Sequence, residues 1–164
     1  MVNFRLKHSI PLCNIAVVAA LMTACSIDDN SGDFFSLPDA KWHYGKVFTF
    51  NEQRDTLGED IESVDLTIRH SGNYAYANLW VELSYTANDS VVADTFNIQL
   101  SDDYGKWVGS GAGPVKTRTE TLPLRNVPDA WSSFGVRHIM RIDVLDDIEQ
   151  VGLNVNHSHQ PEKQ

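Results

Sequence analysis

The sequence is poor in cysteine, with only Cys13 and Cys25 among its 164 residues. Both lie near the start of the chain, ahead of every segment that resembles a folded domain. If both cysteines are either cleaved off with this segment or chemically modified, the domain has no thiol nucleophile, no disulfide and no cysteine ligand for zinc or an iron–sulfur cluster. Its stability must then come from a hydrophobic core, for which about 140 residues are sufficient.

No apolar run is long enough for a permanent membrane span. The most apolar segment, IPLCNIAVVAALMTA at residues 10–24, is interrupted by Pro11 and Asn14. It has about 15 residues, whereas a spanning helix needs roughly 20. It follows a short basic stretch with Arg5 and Lys7 and ends in small residues. This order is typical of a secretory signal peptide.

The end of this segment carries a more specific signal. LMTAC, from Leu21 to Cys25, resembles a bacterial lipobox, in which signal peptidase II cleaves before a lipid-bearing cysteine. Thr23 and Ala24 are small, and Met22 stands where the pattern usually has leucine. We therefore predict residues 1–24 as a lipoprotein signal peptide, cleavage between Ala24 and Cys25, and a lipid anchor on Cys25. The alternative is an ordinary signal peptide with a chance cysteine.

Basic residues are also scarce. Removing residues 1–24 takes away two of the 13 Lys and Arg residues and none of the 22 Asp and Glu residues, which leaves a net charge of −11. Such an acidic surface argues against nucleic acid and anionic lipid headgroups as partners. The lipid, rather than a basic patch, would hold the protein to the membrane.

Amphipathic helices are missing, and short alternating segments take their place. Apolar side chains recur at every second residue, the pattern of half-buried strands, with turn-rich segments between them. The chain is therefore predicted to be all-β, a mainly antiparallel β-sandwich of about seven to eight strands. The alternating segments are SVDLTIRH (63–70), NLWVELSY (78–85), VADTFNIQL (92–100), VRHIMRIDV (136–144) and EQVGLNV (149–155).

The boundaries of this domain follow from composition. We predict a flexible acidic tether over residues 25–36, the sandwich over residues 37–156 and a disordered polar tail over residues 157–164. Trp80 should lie opposite Leu79 and Val81, on the outer face of its strand. Packing of this tryptophan against a covering loop is the favoured interpretation, and an exposed tryptophan in a binding patch is the alternative.

No arrangement of residues predicts catalysis. The pairs Asp102–Asp103 and Asp146–Asp147 fall in predicted turns, and adjacent residues on a strand point to opposite faces. His138 lies on an apolar strand face, where we expect a hydrogen-bonded, partly buried core histidine. The glycine-rich segment 109–114 is followed by a strand-like stretch, so a bulge or hairpin bend fits better than a phosphate loop.

Metal ligands are not clustered either. SDDYGKW at 101–107 offers oxygen atoms for calcium but lacks the regular ligand spacing of a calcium loop. We therefore predict no catalytic residue, no metal and no cofactor.

Several stretches together resemble the gliding-motility lipoprotein GldH family of Bacteroidota, over about residues 37–155. They are LPDAKWHYGKVFTF, NYAYANLWVELSY, ADTFNIQLSDDYGKWVGSGAG and MRIDVLDDIEQVGLNV. Ser101 and Gln150 depart from the family pattern. The matching residues are Trp42, Asp94, Thr95, Leu100, Asp102, Gly105, Lys106, Trp107, Gly109, Gly111, Met140, Arg141, Val151, Gly152 and Leu153.

The resemblance implies a non-enzymatic lipoprotein of the cell envelope, linked to the gliding apparatus that works alongside type IX secretion. Its partners would be the membrane, through Cys25, and other envelope, gliding or secretion proteins, contacted through residues such as Trp80 or Trp107. Its location would be the outer membrane, on the periplasmic or surface face. A carbohydrate-binding surface lipoprotein is the main alternative, and a hydrolase is a third.

Two short patterns are typical of exported proteins of Bacteroidota. SIDDNSG at 26–32 loosely fits a surface-export signal, and a plain solvated tether is the alternative. DTL and DSV fit the tripeptide that these bacteria O-glycosylate, which makes Thr56 and Ser90 possible glycosylation sites in predicted turns.

Overall fold

The computed structural model describes residues 33–51, 61–111, 113–129 and 132–157, which form ten strands and one 3₁₀ turn at Pro38–Ala40. Within these ranges no helix is long and apolar enough to cross a membrane. The predicted cleavage site at Ala24 and Cys25, and Thr56, lie outside the described residues. The strands are β1 (Asp33–Ser36), β2 (Trp42–His43), β3 (Phe48–Asn51), β4 (Ile61–Ser71), β5 (Asn78–Ala87), β6 (Ser90–Gln99), β7 (Val115–Pro123), β8 (Ser133–His138), β9 (Val144–Leu145) and β10 (Ile148–His157).

Eight of these strands form two four-stranded antiparallel sheets. The first sheet has the order β1-β10-β4-β7 and the second has the order β3-β8-β5-β6. Strands β2 and β9 form a separate two-stranded ribbon. The prediction of an all-β, mainly antiparallel sandwich is therefore confirmed.

The core lies between the inner faces of the two sheets. In β4, Leu66 and Ile68 are fully buried, and in β5, Leu79, Val81 and Leu83 are fully buried. Burying a side chain of this kind contributes roughly 1.5–3 kcal/mol. The alternation in the sequence predicted these faces correctly, because each strand has one face in the core and one in solvent.

The two long sides of the sandwich are closed differently. At one side the edge strands β1 and β3 meet through aromatic side chains, with the ring of Phe35 5.2 Å from that of Phe48 and 5.0 Å from that of Phe50. At the other side the edge strands are β6 and β7. There Arg125, which follows β7, forms an ion pair with Asp94 of β6.

Three predicted boundaries differ from the structure. The predicted tether is wrong over Asp33–Ser36, which pairs with β10 as β1, a strand too short for alternation to reveal. The predicted tail is wrong at His157, which ends β10. The alternating segment 136–144 is not one strand, because β8 ends at His138 and Val144 belongs to β9, which pairs with β2.

Candidate functional site

An exposed indole marks the outer face of the second sheet. Trp80 lies on the outer face of β5, as its position in the alternation predicted, and 42% of its surface is exposed. Its backbone carbonyl accepts a hydrogen bond from the backbone N–H of Ile139 at 2.9 Å. Its backbone N–H points to the sulfur of Met140, 3.4 Å away. Ile139, Met140 and Arg141 line a shallow depression beside the indole. These four residues are called the Trp80 surface below.

The Trp80 surface carries one exposed basic group, that of Arg141. Arg137, on the neighbouring strand, donates two hydrogen bonds to Glu82 at 2.8 and 2.9 Å, and this carboxylate raises the pKa of the guanidinium. Within the described ranges Arg141 has no ion-pair partner and is exposed. The Trp80 surface therefore combines an indole, a thioether and a free guanidinium, which suits binding rather than proton transfer.

Trp107, the other tryptophan considered as a contact, has a structural position instead. Its ring packs 4.7 Å from that of His70 and 6.5 Å from that of Tyr74, and it is only partly exposed. It closes one end of the core. The sequence did not separate these two tryptophans, because Trp107 lies in an irregular loop without alternation.

The loop before Trp107 is held by a single carboxylate. Asp102 accepts hydrogen bonds at its Oδ1 from the N–H groups of Tyr104 at 3.0 Å and Lys106 at 2.9 Å. Gly105 sits between them with φ of +77°, a left-handed conformation that favours glycine. Asp102 therefore stabilises a turn and, with Lys106 exposed at its end, forms no converging site.

Three further glycines of the resemblance make close packing possible. A Cβ on Gly109 would lie 2.2 Å from the carbonyl oxygen of Thr117, and one on Gly111 would lie 2.4 Å from that of Val115. Gly152 lies beneath the ring of Phe34, which a Cβ would meet at 2.3 Å. These glycines allow a loop to approach β7 and a ring to cover β10, so their function is structural.

The opening tryptophan is likewise part of the core. Trp42 is fully buried, and its indole N–H donates to the carbonyl of Lys46 at 3.0 Å. Its ring lies 5.4 Å from that of Phe48 and 5.4 Å from that of His138.

His138 differs from the prediction of a partly buried, hydrogen-bonded histidine. It is fully buried, its ring packs 5.7 Å from that of Tyr44, and neither ring nitrogen has a well-formed hydrogen bond in the described structure. Burial lowers its pKa below 6.5, and the nearby backbone of Trp42 and His43 offsets part of this effect. The prediction failed because the sequence does not show that the short ribbon covers the end of β8.

Asp94 and Thr95 point to opposite sides of β6. The Asp94 side chain is 10% exposed and is paired with Arg125, whereas Thr95 is exposed on the outer face. Ser90 is the first residue of β6 and is exposed. Its glycosylation stays a prediction.

The described ranges contain no group of three His, Cys, Asp or Glu residues that could hold a metal ion. Neither the curated proteins nor the solved structures gave a match to the chain. A family model described as GldH lipoprotein matches residues 32–155, which span nearly the whole sandwich. The chain therefore belongs to the GldH lipoprotein family, whose members are gliding-motility-associated lipoproteins of the cell envelope.

Proposed function

We propose that the protein is a non-enzymatic accessory component of the gliding apparatus associated with type IX secretion, and that it works by binding other envelope proteins at the Trp80 surface. Family membership supports the link to motility, and the family is not known for enzymatic activity. The observation that carries the choice of surface is the exposure of Trp80 on an open sheet face.

The composition of the Trp80 surface fits a protein interface. Tryptophan and arginine are the residues most often found to dominate binding energy at such interfaces, and methionine adapts to varied partners. The backbone C=O and N–H of Trp80 are held by the Ile139 N–H and the Met140 sulfur, both on the side of β5 that faces away from β6. An indole on such a rigid backbone loses little conformational entropy when a partner covers it.

The proposal places the domain at the outer membrane, anchored by lipid chains on Cys25. Its acidic character supports this arrangement, because repulsion from anionic headgroups leaves the lipid as the attachment.

Carbohydrate binding is the second candidate, since an exposed indole can also stack on a sugar ring. A sugar platform would need a second ring beside the first. Among the described residues no aromatic ring pairs with Trp80, and Ile139, Met140 and Arg141 line the depression beside it. This neighbourhood favours a protein partner.

The test uses the full-length chain in a gliding host. Trp80→Ala and Arg141→Glu are compared with Tyr104→Ala, a control on a residue that is 96% exposed at a turn tip. After cross-linking in cells, we expect the first two variants to lose captured envelope proteins and gliding, and the control to retain both. Capture that is unchanged in both variants would show that the Trp80 surface is not the interface. Polysaccharide binding, followed by tryptophan fluorescence and lost in Trp80→Ala, would favour the second candidate.

A further inference from the structure

The four edges of the two sheets differ in how they are protected against pairing with another strand. Strands β1 and β3 have only four residues each. Strand β7 is longer, but Ser110 already pairs with Thr117 at its edge through hydrogen bonds of 2.9 and 2.8 Å, and Pro123 at its end has no N–H to donate. Short edges, prolines and covering segments are the usual means of blocking edge-to-edge pairing.

Strand β7 is also protected by charge on its inner face. Lys116, Arg118 and Glu120 lie opposite buried residues of β4 and therefore point to the core side of the sheet. Arg118 and Glu120 form an ion pair with each other, which leaves Lys116 as the inward-pointing charge that disfavours pairing of this edge with another strand.

Strand β6 is ten residues long, and its free edge can be identified from its partner strand. The carbonyls of Trp80 and Thr86 accept hydrogen bonds from Ile139 and Asp129, so these residues of β5 direct their backbone groups away from β6. In an antiparallel sheet the direction alternates from one residue to the next, so the odd-numbered residues of β5 bond to β6. Leu100, the residue directly after β6, follows this pattern, because its N–H donates to the carbonyl of Ala77.

By the same alternation, every second residue of β6 directs its N–H and C=O to the free edge. These residues are Val91, Ala93, Thr95, Asn97 and Gln99. Within the described structure the backbone groups of Val91, Ala93, Thr95 and Asn97 have no hydrogen-bond partner at this edge.

The side chains along this edge are small or uncharged, and all five are exposed, with Val91 78% exposed. The one charged residue of β6 is Asp94, which points inward. An inward charge would normally protect the edge, but Arg125 neutralises this one. Strand β6 therefore has a long, uncharged edge on an otherwise acidic chain.

We propose that β6 pairs with β6 of a second copy of this chain, antiparallel, with the two-fold axis at Thr95. This register places Thr95 opposite itself, Ala93 opposite Asn97 and Val91 opposite Gln99. No like charges face each other, and threonine pairs across strands are favourable. About ten new backbone hydrogen bonds join the copies into one eight-stranded sheet.

A second copy fits this edge for reasons of charge and geometry. Two cleaved chains, each of net charge −11, repel each other across most of their surfaces, and the β6 edge is a strip where that repulsion is weakest. An edge that is complementary to itself closes into a two-fold dimer rather than an open fibre. The pairing uses residues other than the Trp80 surface, so it does not depend on the proposed function.

Cysteine cross-linking in the native membrane tests the pairing. Hydrogen-bonded partners in antiparallel strands have Cα atoms about 5.5 Å apart, within the range of a disulfide. Thr95→Cys in the full-length chain should give a disulfide-linked species of twice the monomer mass on mild oxidation. Thr49→Cys, on the exposed face of the opposite edge strand β3, should stay monomeric. A product formed only with a different protein would overturn the self-pairing, and so would a Thr95→Cys chain that stays monomeric.

The register has its own test. Ala93→Cys and Asn97→Cys should each remain monomeric alone and should cross-link when the two variants are expressed together. Cross-linking of either one alone would contradict a two-fold axis at Thr95.

A charge variant tests whether the pairing holds the dimer together. Thr95→Lys places two cations opposite each other and should weaken dimerisation about tenfold or more, measured by analytical ultracentrifugation of the detergent-solubilised full-length protein. Thr49→Lys should leave the dimer unchanged, and an unaltered tryptophan emission spectrum shows that both variants are folded. A Thr95→Lys protein that dimerises like the wild type would refute the proposal.

Discussion

Replacing Gly109 with alanine should be among the most destabilising single-methyl changes in this domain. Gly109 has φ of +108°, and the added Cβ would lie 2.2 Å from the carbonyl oxygen of Thr117. The obstacle is backbone rather than a side chain that can rotate. The loop must therefore move away from β7, which breaks the two hydrogen bonds between Ser110 and Thr117.

The size of the effect follows from these two contributions. A backbone conformation that is almost confined to glycine costs an alanine about 1–3 kcal/mol. Each lost hydrogen bond costs about 1 kcal/mol. We expect Gly109→Ala to lower the free energy of unfolding by about 3–5 kcal/mol, a large part of the stability of a domain of this size.

Gly113 provides a matched control in the same loop. Its φ is +76°, but no atom lies within 4 Å of the position of an added Cβ. Gly113→Ala should therefore cost only the left-handed conformation, about 1 kcal/mol. Urea denaturation followed by the fluorescence of the buried Trp42 and the partly buried Trp107 measures both variants. Equal losses in the two variants would refute the argument from close approach.

Further predictions concern buried polar groups. Burial lowers the pKa of His70 and His138 in the folded state, so the unfolded chain binds more protons below pH 6.5. Chemical denaturation should therefore show that the free energy of unfolding falls as the pH drops below 6.5, by up to about 1.4 kcal/mol per pH unit for each histidine. His138→Leu should make this fall less steep. An unchanged slope would contradict the lowered pKa of His138. Arg125→Ala leaves Asp94 buried without its partner and should lower the free energy of unfolding by about 1–3 kcal/mol. The same change should have a much smaller effect in a chain that already carries Asp94→Asn. Equal effects in the two backgrounds would argue against the ion pair. Tyr85→Phe removes the acceptor of the Arg125 N–H, 2.9 Å away, and should cost about 1 kcal/mol in the same assay, so an unchanged stability would argue against this bond.

The sequence predicted the long strands well because each has a distinct buried face. The segment 63–70 lies within β4 and the segment 78–85 within β5, and the outward position of Trp80 followed from the same alternation. The strands that the sequence did not reveal, such as β1 and β9, have four residues or fewer. An alternating pattern of apolar and polar residues over so short a segment cannot be distinguished from a chance arrangement.

The pairings that shape the surface depend on contacts between distant parts of the chain. Arg125 neutralises Asp94 across the gap between two edge strands, and nothing in the sequence around either residue predicts this pairing. The same holds for Met140, which faces Trp80 because the chain leaves the sheet after His138. The alternating pattern continues past that point, so only the fold shows where the strand ends.

Most residues of the GldH resemblance turned out to build the fold. Gly105 and Gly109 adopt positive φ, Asp102 holds a turn and Trp42 fills the core. A sequence motif does not distinguish a residue that binds from one that allows a tight turn. Met140 and Arg141 differ in position, because both line the Trp80 surface.

The central claim is that this domain acts in the cell envelope from a lipid anchor on Cys25. The most direct measurement compares the wild type with Cys25→Ala in a Bacteroidota host, by intact mass, membrane fractionation and protease treatment of whole cells. The account predicts a wild type cleaved before Cys25, lipid-modified and in the outer-membrane fraction, with Cys25→Ala soluble or unprocessed. Protease sensitivity of the wild type in whole cells would assign the domain to the surface face, and protection would assign it to the periplasmic face. Masses that differ only by the sulfur atom lost in the substitution, together with identical fractionation, would contradict the account.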